Sequence, residues 1–99
     1  MIIRWTPRAL KTNLRIIDYL NNNWTKKEVN KFVHQTNKII EEIKQNPYMF
    51  QVFCEKRNIR KGFLNRLVSL YYRVNNEKGE VELLVFWQNR QDPENLKIG

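Results

Sequence analysis

The sequence predicts an α+β fold: a strand, a two-helix antiparallel hairpin, then a three-stranded antiparallel meander, with the helices packed on one face of the sheet. Three observations predict it. Apolar residues recur at helical spacing through two stretches that precede Asn46–Pro47. From Ile59 onward the pattern changes to three β-rich segments, IRKGFLNR, LVSLYYRV and EVELLVFWQ. Their connections are short, and NNEKG between the last two has turn composition, which makes neighbouring strands antiparallel.

Each element follows in order. MIIRW is short and apolar and suits a first strand. Thr6 then stands as a helix cap with Pro7 in the first turn, where no amide donor is missed. Leu10, Leu14, Ile17 and Leu20 form the apolar stripe of this helix, widened by Ile16. The run Asn21–Asn22–Asn23 favours local side-chain bonds over helix and is expected to end it, leaving a connection of about four residues. Thr25 and Glu28 have capping-box spacing, and Trp24 and Val29 sit where a hydrophobic staple would. Val29, Phe32, Val33, Thr36, Ile39, Ile40 and Ile43 mark one apolar face of the second helix, which ends before Asn46–Pro47. Gln51 to Cys54 reads as loop or short strand, and the polar tail after Asp92 as frayed or weakly helical.

Ninety-nine residues, 41% of them hydrophobic, make one domain spanning 1–99. Eighteen Lys and Arg against ten Asp and Glu give a net charge of +8. So basic a chain is drawn to polyanions or to an acidic protein. The charge is concentrated: Lys56, Arg57, Arg60, Lys61, Arg66 and Arg73 fall between Lys56 and Asn76, with no acidic residue among them. The lone Cys54 forbids an internal disulfide and fits a reducing cytoplasm. No apolar run approaches a membrane span.

Familiar catalytic sets are missing. His34 lies mid-helix and reads as structural, Glu41–Glu42 as solvated helix surface, and Cys54 as core. One His and one Cys make no common zinc site, and no glycine-rich phosphate loop or cofactor fingerprint is present, so neither metal nor cofactor is expected.

The sheet carries what remains. In LVSLYYRV, Val68, Leu70, Tyr72 and Val74 alternate with Ser69, Tyr71 and Arg73. In the last strand, Val81, Leu83, Val85 and Trp87 would share one face and Leu84, Phe86, Gln88 and Arg90 the other. Arg60 and Arg66 share a face with Leu64, and Lys61 with Phe63. Cations and tyrosines on an uncovered sheet face would clamp phosphates and stack bases. The plainer alternative is that they solvate that face and discourage edge pairing.

Order and residues together resemble the RelE/ParE superfamily of bacterial toxins, the toxic half of type II toxin–antitoxin modules. WTPRALKTNLRIIDYLNNNW is similar to that family's opening helix followed by a tryptophan; NPYMF has its proline after the second helix. IRKGFLNRLVSLYYRV looks like its basic strand and tyrosine-bearing strand, and VELLVFWQNRQDP like its final apolar strand leading to an arginine. The resemblance implies an acidic antitoxin as partner, and either DNA gyrase or the ribosome with its mRNA as target.

In the RNA-cleaving branch an arginine at the place of Arg90 stabilises phosphate charge. The resemblance then adds Lys61 or Arg60 and Arg66 as phosphate-binding groups, and Tyr72 matches a common tyrosine. A nuclease would thus use Arg90, Lys61 and Arg66. A wider target-binding set is Arg57, Arg60, Lys61, Arg66, Tyr72, Arg73 and Arg90. Nucleases of this kind carry a tyrosine or histidine several residues after the arginine, whereas this chain has RQDPENLKIG, with neither. That departure favours a ParE-like toxin that binds gyrase over a RelE-like ribosome-dependent mRNA endonuclease.

Overall fold

Thr6 is where the first strand becomes the first helix. Its hydroxyl accepts the Ala9 amide and donates to the Leu83 carbonyl at 2.7 Å, so one side chain both caps the helix and ties it to the sheet. The computed structural model describes residues 1–91 and 93–98; Asp92, after which the tail was expected to be frayed or weakly helical, lies outside them. The elements are β1 (Ile2–Trp5), α1 (Pro7–Asn23), α2 (Lys26–Gln45), β2 (Gln51–Cys54), β3 (Ile59–Phe63), β4 (Val68–Asn75) and β5 (Glu80–Gln88), then a 3₁₀ turn at Pro93–Asn95.

The strands form one mixed sheet in the order β1-β5-β4-β3-β2. The expected meander is present, and β2 extends it by pairing antiparallel with β3. β1 returns to the far edge and runs parallel to β5. Both helices lie over one face. There Phe32, Ile39 and Ile43 meet Leu70, Tyr72, Val74, Val81, Leu83 and Phe86 in the main core.

Four expectations about the helices are corrected. α1 runs through all three asparagines to Asn23, whose side chain bonds back to the Tyr19 carbonyl, so only Trp24 and Thr25 join the helices. Leu10 and Leu14 are half exposed; the buried line is Ala9, Asn13 and Ile16. Small and polar residues sit there because α1 rides close on β5: the Thr12 hydroxyl accepts the Phe86 amide, and Asn13 reaches Thr36 of α2. Thr25 makes no side-chain cap, so the capping box is absent. Trp24 is 61% exposed and makes no buried staple.

The face assignment in β5 is also corrected. Tyr71 pairs with Val85 and Tyr72 with Leu83, so Leu84 is an extra residue, a β-bulge. Beyond it the alternation inverts. Val81, Leu83 and Phe86 face the helices, while Leu84, Val85 and Trp87 face the other side.

That second face is not bare. Leu96 and Ile98 of the tail fold back onto Ile59, Tyr71 and Val85. Arg57 donates to the Ile98 carbonyl at 2.5 Å, and Arg8 donates to the Lys97 carbonyl. Among the described residues, no helix is long and apolar enough to cross a membrane.

Candidate functional site at the end of the sheet

Asn89, just past β5, fixes the geometry here. Its amide donates to the Leu67 carbonyl at 2.7 Å, its side-chain nitrogen to the Arg66 carbonyl, and its side-chain oxygen accepts from the Ser69 hydroxyl at 2.6 Å. Asn65 turns the same loop from within: its oxygen accepts the amides of Leu67 and Val68, and its nitrogen reaches Gln35 of α2. These bonds bring Arg66 and Arg90 to one groove between the helical hairpin and the end of the sheet. The groove has a volume of about 560 Å³, an apolar floor that includes Leu20, Phe32 and Val68, and Trp24 beside it.

Arg90 lies over the Tyr19 ring, with the guanidinium carbon 5.8 Å from the ring centre. The Tyr19 phenol is held below its ordinary pKa, first by hydrogen bonding from Arg90, then by Trp24 and by the positive charge of Arg90. Neither Tyr19 nor Trp24 was among the expected site residues. Only the position of Tyr19 one turn before the end of α1, on the side where β5 ends, could have pointed to it.

The other expected residues are elsewhere. Lys61 is on the face away from the helices, where its ammonium stands 5.0 Å from the Phe63 ring centre and 5.7 Å from that of Tyr71. Phe53 packs edge-on against Tyr71 at 4.8 Å. Arg60 points to the helix face: it lies over Tyr48 and donates to the Phe50 carbonyl at 2.7 Å, clamping the turn after α2. Tyr72 is 0% exposed, and its hydroxyl donates to the Pro47 carbonyl at 2.7 Å. Burial pushes its phenol up to about 12, against the opposing charge of Arg60.

Arg73 donates to buried Glu82 at 2.8 Å, and Arg4 pairs with the same carboxylate from the β1 side, so neither is an uncompensated cation. Arg57 holds the tail. The single cation-lined sheet face expected from the sequence is therefore replaced by two separate places, Lys61 among rings on one face and Arg66 with Arg90 at the sheet end. Strand alternation separates Arg60 from Lys61, and the loop after β3 carries Arg66 out of the strand. Among the described residues, no group of three or more His, Cys, Asp or Glu is placed to hold a metal ion.

The family described as the ParE toxin of the type II toxin–antitoxin system parDE matches residues 3–93. This chain belongs to the ParE toxin family. Solved structures of the superfamily share its fold. A chromosomal ParDE toxin–antitoxin system from P. aeruginosa superposes with a TM-score of 0.73 at 20% identity, over 89% of this chain and 95% of that one. A YoeB/ParE toxin from Agrobacterium tumefaciens gives 0.65 at 13%, over 89% and 98%. The heterotetrameric YoeB–YefM toxin–antitoxin complex from Staphylococcus aureus gives 0.57 at 15%, over 86% and 92%. No curated protein matches significantly. As a member of the ParE family, the chain implies a cognate antitoxin partner.

Proposed function

We infer that this ParE-family toxin arrests growth in the cytoplasm by binding an essential target, DNA gyrase, rather than by cutting mRNA. One observation carries the preference. The three cations a nuclease would gather around one phosphate are divided: Arg66 and Arg90 line the groove at the sheet end, and Lys61 stands among Phe63 and Tyr71 on the opposite face. Transition-state stabilisation needs donors fixed around one point. A binding surface does not, because separate patches can each contact a large partner.

The ribosome-dependent endonuclease keeps one observation in its favour. Tyr19, beside Arg90, has a phenol whose proton leaves more readily than usual, which is the direction acid–base chemistry requires. The antitoxin of either toxin would carry an acidic segment to match the +8 charge of this chain. Two assays on the purified protein separate the readings: gyrase supercoiling, and coupled translation with primer-extension mapping of the message. Lost supercoiling with intact message is the expected result. Codon-phased cuts with normal supercoiling would instead establish the nuclease.

A further inference from the structure

The sheet-end groove differs in kind from a phosphate clamp. Its floor is apolar, with Phe32 and Val68 buried and Leu20 half-buried. Large apolar side chains also stand open along it: Leu67 is 68% exposed and Trp24 61%, and both line this one groove. Its charged lining, among the described residues, is Lys31, Arg66 and Arg90 against a single carboxylate, Glu28. Among the described residues no ion pair engages any of these four.

That combination selects among ligands. A phosphodiester chain carries a charge on every unit and is held by cations along its length, so an apolar floor offers it little. A large apolar side chain gains by covering the same floor, at about 25 cal/mol for each Å² removed from water. The groove's volume of about 560 Å³ lies within the range of roughly 300–1,000 Å³ that encloses ligand-sized groups, so such a side chain fits. Cations without ion-pair partners then favour carboxylates beside it.

The groove is also prepared for binding. Asn89 holds the Arg66 carbonyl and Arg90 rests on the Tyr19 ring, so less freedom remains to be lost when a partner docks. Trp, Tyr and Arg are the residue types that carry most binding energy at protein interfaces, and Trp24, Tyr19, Arg66 and Arg90 gather here.

We propose that this groove docks polypeptide rather than nucleic acid: an acidic segment of the gyrase protein, which sets one large apolar side chain on the floor and carboxylates against Lys31, Arg66 and Arg90. The proposal rests on gyrase as the target. It adds that the toxin grips the enzyme's protein directly, so the contact forms without DNA.

The test measures binding of the purified, fluorescently labelled full chain to intact gyrase free of DNA, by anisotropy, beside the supercoiling assay. Leu67→Ser removes an open apolar side chain from the groove, and Arg66→Glu reverses one of its charges. Each should weaken binding to DNA-free gyrase at least tenfold. Ile2→Ser on β1 and Lys38→Glu on α2 make the same kinds of change outside the groove and should alter binding less than twofold; melting curves check that all four variants are folded. Full affinity in folded Leu67→Ser and Arg66→Glu would overturn the proposal. Loss in Arg66→Glu alone would overturn its apolar anchor, and equal loss in Lys38→Glu would reduce the effect to net charge. A parent that blocks supercoiling but binds gyrase only when DNA is present would overturn the proposal and leave gyrase as the target. A parent that neither blocks supercoiling nor binds gyrase would overturn the target itself, and the proposal with it.

Discussion

Arg90 rests on the ring of Tyr19, 5.8 Å from its centre, and so joins the end of the last strand to the last turns of the first helix. The two residues are distant in sequence and meet because Asn89 pins the strand end against the 66–67 loop. Two cations and a phenol that reads as surface decoration thereby become the wall of one groove.

The first prediction concerns that contact. Arg90 favours the phenolate form of Tyr19, so the phenol titrates below an ordinary tyrosine. In Arg90→Ala its titration should move upward, toward the ordinary value. Because Arg90 is exposed, stability should change by no more than about 0.5 kcal/mol. NMR titration with ring-labelled tyrosine checks the first part and urea unfolding the second. A Tyr19 titration that is unmoved in the variant would refute the coupling.

Asn89 gives the second prediction. Asn89→Ala removes the side-chain bonds to the Arg66 carbonyl and the Ser69 hydroxyl, and leaves buried Ser69 without that partner. The expected loss is about 1–3 kcal/mol in chemical unfolding. Faster amide exchange at Leu67, whose carbonyl Asn89 also holds through its backbone, should accompany it. A loss below about 0.5 kcal/mol would mean that the loop is held by Asn65 alone.

Much of this architecture was legible in the sequence, for physical reasons. β5 and α2 are long, β5 as a near-continuous apolar run and α2 with a helical period, so Val81 to Gln88 and Phe32 to Ile43 announced their elements and much of their burial. The family was legible through the order of those pieces. The bulge at Leu84 was not: its neighbours are apolar on both sides, so no polarity marks the slip, yet it reverses every side chain after it. Leu10 and Leu14 fitted a helical stripe as well as Ala9 and Asn13 do; only the approach of α1 to β5 chooses between them. The groove at the sheet end depended on Asn89, a residue that looks like loop filler until its three bonds are seen.

Tyr72 supplies a prediction about alkaline stability. Its phenol is pushed up to about 12 by burial, whereas the unfolded chain ionises near the ordinary value of 10. Below about pH 10 both states are protonated and this group adds no pH dependence. As pH rises from about 10 to about 12 the unfolded state loses the proton first, so stability falls with pH. Tyr72→Phe should remove that part of the alkaline slope. At neutral pH it should cost about 1 kcal/mol, for the lost bond to the Pro47 carbonyl. Urea unfolding at several pH values reads both, and an unchanged slope in the variant would assign the alkaline loss to other groups.

Gly62 marks a tight crossing of β3 under α2. A methyl group there would meet the Ile39 Cδ1 atom at 3.1 Å and the Phe50 ring at 3.2 Å. Both neighbours belong to the packed core side, so neither moves without disturbing others. Gly62→Ala should therefore destabilise by about 1–3 kcal/mol through overpacking. A melting temperature equal to that of the parent would show that Phe50 swings aside freely.

Trp24 separates stability from binding. An indole at a two-residue helix junction would ordinarily be assigned to the core, and its loss would then cost several kcal/mol. Here the side chain is 61% exposed at the mouth of the sheet-end groove, so Trp24→Ala should change unfolding free energy by less than about 1 kcal/mol. An exposed tryptophan beside two arginines has the makeup of an interface anchor. The same variant should therefore weaken target inhibition at least tenfold, measured on protein whose melting curve matches the parent. Large destabilisation, or full inhibition in a folded variant, would remove Trp24 from the binding surface and leave Arg66, Arg90 and Tyr19 to carry it.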